Sequence, residues 1–416
     1  MTKLKLHWQI LIAMVFGIGI GLYFQDTEFN SNKLYGLIAS FGTIFVRLLK
    51  MIIVPLIFTS IITGVASIKD SSRLGRLGIK TLLYYTMTSL FAIIIGLTLT
   101  NLIEPGIGVE LGSNGSFDAS NLKTPGSPAE ILIRMVPLNP FNAAARGDML
   151  GIIFFAIFLG ISISRVKNQQ QSTLSNFFES MFQAIMKMTE TIIKFVAPIG
   201  VLGLITKAVA NSGFEIFTAV GKYMMTIAFG LSIHIFFVLP LFFFLMTKTN
   251  PMKHFKAISS AMATAFSTSS SSATLPVTMK CVKENAGVSN ETASFVLPMG
   301  ATVNMDGTAL YECAGVIFIS QVLGIDLSIS QQFTVVITAL LASIGAAGIP
   351  SAGLVMIFIV TQAVGFRDED VALIIGTMLA VDRPLDMFRT MVNITSDSIG
   401  AAVIAKSEGE KLYQNS

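Results

Sequence analysis

The chain has 416 residues, 53% hydrophobic and only 12% charged, with 28 basic against 24 acidic side chains and a formal net charge of +4. A soluble chain of this length would form two or three domains, each with a polar skin, and would carry about 25% charged residues. The composition excludes disorder, a disulfide scaffold and nucleic-acid binding, and it predicts an all-α polytopic membrane protein.

The first residues, 1–6, form a short basic start before a long apolar run, with no small-residue cleavage site. That pattern reads as a retained first span and not as a signal peptide. Apolar stretches follow near 8–24, 36–66, 78–103, 149–165, 175–208 and 219–246. Several exceed the ~20 residues a bilayer requires, which predicts strongly tilted helices. Residues 104–140, rich in Pro, Gly, Ser and Asn, read as an external loop. Basic residues cluster at alternate loops: Lys3 and Lys5, then Lys69, Arg73, Arg76 and Lys80, then Arg165 and Lys167, then Lys248, Lys253 and Lys256. The positive-inside rule therefore gives six spans before residue 254 and a cytoplasmic N-terminus. Cys281 and Cys313 have no zinc-type spacing, and His7, His234 and His254 form no metal cluster.

After residue 254 two stretches share one plan. Around 254–290 an apolar segment is broken by Ser267 to Thr274 and then Pro276, and around 329–365 another is broken by Gly345 to Gly353. Each is too long for one span and precedes a full-length helix carrying polar residues, at about 292–323 and 369–405. Two re-entrant helical hairpins, each followed by a helix and entered from opposite sides, are the layout of an inverted-repeat transporter. The total is eight transmembrane helices plus two hairpins. Irregular backbone at membrane depth is tolerated only where protein buries it or it lines a cavity. The rival reading is two kinked helices with small packing residues.

The last helix carries the sharpest polar signal. At about 100° per residue, Asp386, Arg389, Asn393 and Asp397 share one face, with Thr390 at its edge. Each ionisable group at a helix centre costs at least ~2.5 kcal/mol, so a stripe of them implies a function. An Asp386–Arg389 pair stapling helices is the bland alternative, and Asn393 and Asp397 extend beyond what a staple needs. In the preceding helix, Gly300 to Thr308 contains Asn304-Met305-Asp306 between glycines. Such a run predicts local unwinding, which frees oxygen ligands suited to a small hard cation. Tyr85, Thr88 and Ser89 share a face of the third span, where hydroxyls more often bond between helices. Glu312, one turn beyond Thr308, suits either a proton carrier or a partner for a polar neighbour.

The residues Ser269 to Pro276, Asn304 to Thr308, Gly345 to Pro350 and Asp386 to Asp397 resemble those of the glutamate transporter family. These are the dicarboxylate/amino acid:cation symporters, and the resemblance covers essentially the whole chain. It implies an elevator-type homotrimer in the plasma (inner) membrane, with both termini cytoplasmic. Residues 1–77 and 104–218 would be scaffold; 78–103, 219–253 and 254–416 would form the mobile transport domain. It also implies roles position by position. Arg389 would bind the substrate's side-chain carboxylate and Asp386 its ammonium. Ser270, Ser271, Thr308, Thr390, Asn393 and the backbone at Ile349 and Gly353 would complete the shell. One sodium ion would take Gly300, Asn304, Asn393 and Asp397. A second would take Tyr85, Thr88, Ser89, Asn304 and Asp306, and a third Thr302, Met305, Thr308, Ser343, Ile344 and Ala346. Glu312 resembles the proton carrier of the vertebrate branch. Family members often carry a second arginine where this chain has Ser269 or Met387, whereas Arg383 lies one turn before that second position.

The expectation is thus a non-enzymatic symporter importing L-glutamate and L-aspartate with sodium, or with protons in a rival version of the same machine. A further rival is a symporter of the same fold that carries neutral amino acids or C4-dicarboxylates. A channel needs no closed amphoteric pocket, and an enzyme would need a nucleophile–base pair or a metal centre that the motifs lack.

Overall fold

The computed structural model describes residues 6–24, 32–66, 72–108, 133, 136–146, 149–212, 215–344, 352–366 and 368–413. Every regular element among them is helical. In chain order these are α1 (Leu6–Tyr23), α2 (Lys33–Ala66), α3 (Ser72–Ile103), α4 (Pro140–Arg146), α5 (Met149–Arg165), α6 (Asn168–Thr191), α7 (Ala197–Ser212), α8 (Glu215–Ile233) and α9 (Leu239–Thr247). There follow α10 (Pro251–Thr268), α11 (Ser271–Glu284), α12 (Asn290–Val303), α13 (Asp306–Val322), α14 (Ile329–Ile344), α15 (Ala352–Val364) and α16 (Asp368–Ser407). A helix therefore covers each apolar stretch read from the sequence. Three segments, Arg76–Ile103, Gln169–Ala210 and Thr218–Thr247, are long and apolar enough to cross a membrane by length and composition. Most of the expected external loop, at 109–132, lies outside the described residues.

Two long apolar runs are each interrupted by a wide π-turn, Ile192–Val196 and His234–Val238. Pro198 and Pro240 follow these turns by two residues. A proline cannot donate to the carbonyl four residues back, and the widened turn is how the chain accommodates that loss.

The serine run breaks α10 from α11 by capping chemistry. Ser269 closes α10 in the left-handed region at φ 51°. Ser270 then turns extended, and its Oγ accepts the Ala273 N–H at 3.2 Å to open α11. The two arms fold back antiparallel: Asn285 Nδ2 donates to the Ala257 carbonyl at 2.8 Å, and Ser260 Oγ lies 3.0 Å from Cys281 Sγ. Helices α14 and α15 also pack together, with their connection, 345–351, outside the described residues. Between α12 and α13 the expected unwinding is present: Asn304 (φ −104°, ψ 95°) and Met305 (φ −125°, ψ 61°) leave the helical region.

The helices fall into two packing groups. Helices α1, α2, α5, α6 and α7 pack on one another, and Gly42 and Gly203 let α2 and α7 approach closely. A Cβ on Gly203 would stand 2.5 Å from the Ile38 carbonyl oxygen and 2.6 Å from the Gly42 nitrogen. The second group contains α3, α8 and α10–α16, with α16 running through it.

Beyond α16, residues 408–413 turn back as a strap across one end of the second group. Glu408 accepts from Arg76 Nη2 at 2.7 Å and from Lys80 Nζ at 2.6 Å, both on α3. Glu410 accepts from Ser289 N (2.7 Å), Ser289 Oγ (2.7 Å) and Thr292 Oγ1 (2.6 Å) at the head of α12. Tyr413 donates its N–H to Ala286 and places its hydroxyl 2.5 Å from Nδ1 of the buried His254, whose Nε2 lies 2.9 Å from Ser398 Oγ.

Candidate functional site

The polar stripe of α16 faces inward. Arg389 is only 1% exposed. Its Nη2 donates to Asp386 Oδ1 at 2.8 Å and to Asp382 Oδ1 at 3.1 Å. Its Cζ stands 3.8 Å above the centre of the Tyr311 ring, so the guanidinium is held by two carboxylates and an aromatic face. Nε and Nη1 have no hydrogen-bond partner, so their N–H groups remain to donate to a carboxylate. The start of α15 closes on Nη1: a Cβ on Gly353 would lie 3.3 Å from it.

One and two turns further along α16 the stripe meets the unwound segment. Asn393 Oδ1 accepts the Gly307 N–H at 2.8 Å, and its Nδ2 donates to Thr308 Oγ1 at 3.3 Å. A Cβ on Gly307 would lie 2.9 Å from Arg389 Cα, so only glycine lets α13 start this close to α16. Asp397 Oδ1 accepts from Asn304 Nδ2 at 2.9 Å, and Asn304 also reaches Ser396 Oγ at 3.0 Å. Asp397 Oδ1 and Tyr85 Oη lie 2.5 and 2.6 Å from where a Gly300 Cβ would stand.

Asp306 is completely buried. Its Oδ1 accepts from Ser89 Oγ (2.7 Å) and Thr88 Oγ1 (3.2 Å), and its Oδ2 lies 3.0 Å from His234 Nε2. The desolvation of a buried carboxylate is offset only by such a full shell. Two adjoining oxygen clusters result, one around Asp397 and one around Asp306, with Asn304 shared between them. Each offers amide, hydroxyl and carboxylate oxygens, the donor set a hard cation takes. Among the described residues no three His, Cys, Asp or Glu side chains gather as they would around a transition metal.

A family model described as the sodium:dicarboxylate symporter family matches residues 6–407. The chain belongs to that family. Mouse excitatory amino acid transporter 3 is 37% identical, over 99% of this chain and 87% of its own. A proton/sodium-glutamate symport protein of Geobacillus stearothermophilus is 35% identical over 99% of this chain and 96% of its own. A proton/glutamate-aspartate symporter of Escherichia coli K12 is 33% identical over 98% and 93%. The family and these relatives are transporters.

Most residues singled out from the sequence fall into the network just described. Asp386, Arg389, Asn393, Asp397, Thr308, Gly300, Asn304, Asp306, Tyr85, Thr88, Ser89 and Gly353 all enter it. Thr390 lies beside them but returns its hydroxyl to the Asp386 carbonyl at 2.9 Å. Ser270 and Ser271 are buried at the hairpin tip, where Ser270 serves as a cap. The third proposed cation set is less gathered: Thr302 bonds back to Met299 and Ser343 to Leu340, while Met305 is buried and Ile344 half-buried. Ile349 and Ala346 lie outside the described residues. Glu312 is fully buried, and both carboxyl oxygens lack a hydrogen-bond partner.

Three participants escaped the sequence reading. Asp382 sits two turns before Arg389, within 20° of it on the helical wheel, so the stripe could have been extended to it. Tyr311 and His234 carry no comparable signal, because their partners come from other helices.

Proposed function

We propose that the protein is a secondary active symporter that carries L-glutamate and L-aspartate across the plasma (inner) membrane, driven by sodium. The observation that carries this reading is the buried Arg389 fork, with Nε and Nη1 unpartnered beside the carboxylates of Asp382 and Asp386. Such a pocket is amphoteric: it offers the unpartnered guanidinium N–H groups to the substrate's side-chain carboxylate and Asp386 to its ammonium. Thr308, Asn393, Thr390, the serine tip and the hairpin backbone near Gly353 complete the shell. The names of the relatives, which include glutamate and aspartate symporters, support the same substrate class.

In this reading sodium ions occupy the clusters around Asp397 and Asp306, with a third site between the unwound segment and the tip of the second hairpin. The second packing group is the moving elevator and the first group the scaffold of a homotrimer, embedded as eight spans and two hairpins with both termini cytoplasmic. Asn393 links the two functions, since one side chain contacts the substrate shell and the unwound segment. Filling the cation clusters fixes that segment and with it the pocket; a ligand shifts a conformational equilibrium only through such differential contacts.

A second reading, proton coupling, rests on Glu312, a buried carboxyl with no hydrogen-bond partner one helical turn from Thr308. Radiolabelled aspartate and glutamate uptake into proteoliposomes separates the two. Uptake that requires an inward sodium gradient and is abolished in Asp397→Asn supports sodium. Uptake on a proton gradient alone, lost in Glu312→Gln, supports protons. No uptake of either amino acid under either gradient refutes the reading.

A further inference from the structure

Asp386, the acceptor assigned above to the substrate's ammonium, already has cations around it. Its Oδ1 is held by Arg389 Nη2 at 2.8 Å, and its Oδ2 faces a second guanidinium, Arg383 Nη1, at 3.8 Å. The two arginines are held very differently. Arg389 is buried and fixed by two carboxylates and the Tyr311 ring. The Arg383 side chain is 37% exposed, and its ion pair with Asp386 is longer than a hydrogen bond. A partner held by charge alone, on a flexible stem open to water, can leave without breaking a buried network. Arg383 thus stands at the place an arriving ammonium needs.

Asp382, Asp386, Arg383 and Arg389 bring two carboxyl and two guanidinium groups to this part of the site before any substrate enters. An ammonium and the Arg383 guanidinium cannot both sit against Oδ2, because like charges repel there. An aminated substrate must displace Arg383. A dicarboxylate without an amino group need not, because Asp386 keeps its own counter-cation. Sites that leave a buried polar group unmatched reject the analogue lacking its partner by about 10⁴-fold. A built-in cation removes most of that penalty.

We infer that Arg383 is a specificity-determining residue: it is the resident counter-cation of Asp386, and it sets how strongly the site prefers amino dicarboxylates over dicarboxylates that lack the ammonium. This rests on the proposed function above.

The test is competition of radiolabelled aspartate uptake in proteoliposomes by unlabelled aspartate and by succinate, under combined sodium and proton gradients. The ratio of the succinate to the aspartate inhibition constant is compared in wild type, Arg383→Met and Arg383→Lys. The ratio is expected to rise at least about tenfold in Arg383→Met, as Asp386 Oδ2 loses the guanidinium that faces it. Arg383→Lys, which keeps the charge, is expected to stay near wild type. A ratio unchanged in Arg383→Met overturns the inference, as does a rise of the same size in Arg383→Lys. If Arg383→Met is not recovered as folded protein, Arg383→Gln replaces it. If neither is recovered, the wild-type ratio decides: well under about 10³ supports the inference and a value near 10⁴ overturns it. Absence of aspartate and glutamate uptake by wild type is a different result, and it removes the underlying functional reading itself.

Discussion

Replacing Gly300 by alanine sets two physical effects against each other with opposite signs. Gly300 lies near the end of α12, fully surrounded by protein. As a helical substitution alone, Gly→Ala stabilises by about 0.5–1 kcal/mol. The surroundings forbid it: the new Cβ would stand 2.5 Å from Asp397 Oδ1, 2.6 Å from Tyr85 Oη and 2.7 Å from Asp397 Cγ. Neither neighbour is free to swing. Tyr85 donates to the Val296 carbonyl at 2.9 Å, and Asp397 is tied to Asn304 at 2.9 Å. Forcing extra volume into a packed site costs about 1–3 kcal/mol. The net expectation is destabilisation of about 0.5–2 kcal/mol, together with displacement of the Asp397 carboxylate from its cluster. The assay is thermal unfolding of the purified protein with and without sodium. Gly300→Ala should unfold at lower temperature and lose most of the stabilisation that sodium gives wild type, since binding to the native state is what raises the transition. A variant as stable as wild type, with an undiminished sodium response, would refute the packing of Gly300 against Asp397 and Tyr85.

Three further outcomes are expected. Arg389→Cys leaves Asp382 and Asp386 without their shared guanidinium; breaking a buried pair on one side costs about 3–5 kcal/mol, so aspartate uptake should fall by at least about a hundredfold while neutral amino acids gain entry. Unchanged aspartate uptake contradicts the pocket. Glu408, just beyond α16, has its carboxyl held down to about 2 by hydrogen bonds from Arg76 and Lys80. A depressed native value means stability present above the ordinary value of 4.5 and lost as pH falls toward 2. The melting temperatures of wild type and Glu408→Gln should therefore differ at pH 7 and converge in acid; a constant gap assigns the difference to something other than this ion pair. Ending the chain after Ser407 removes Tyr413 from His254 and Ala286, at the base of the first hairpin. Cys281, buried and 3.0 Å from Ser260 Oγ, should then react faster with maleimide, while Cys313, buried within α13, serves as the unreactive control. Equal rates at Cys281 with and without the strap would show that it does not close that end.

The features legible in the sequence are those whose cause is local. The serine run had to break a helix somewhere, because one residue closes α10 in the left-handed region and the next caps α11. The glycine-flanked Asn304-Met305-Asp306 run is poor helix material, and it unwinds at Asn304 and Met305. The α16 stripe follows from the 100° step alone. What the sequence could not place are contacts whose partner lies far along the chain. The His234–Asp306 pair joins residues 72 positions apart, and the strap joins 408–413 to residues as distant as Arg76. Periodicity reports which face of a helix is polar and says nothing of which helix meets it. The widened turns before Pro198 and Pro240 are an intermediate case: the proline is visible, and the compensation the backbone chooses is not.

The isolation of Asp397 and Glu312 has an electrical consequence. Among the described residues neither has a lysine or arginine within ion-pair distance, and Asp306 has only the imidazole of His234. In the proposed elevator motion a bare carboxylate carried through hydrocarbon would be costly, so each would be neutralised by a proton or a metal cation before the surrounding helices move. A group of helices that moves only when its acids are matched delivers those cations together with the cargo. One unmatched charge crossing the full field gains or loses about 2.3 kcal/mol per 100 mV. In the proposed symporter the membrane voltage would therefore act on how many positive charges board, and carboxylates without a lysine or arginine partner would let a packed helical body draw its work from the cell's potential.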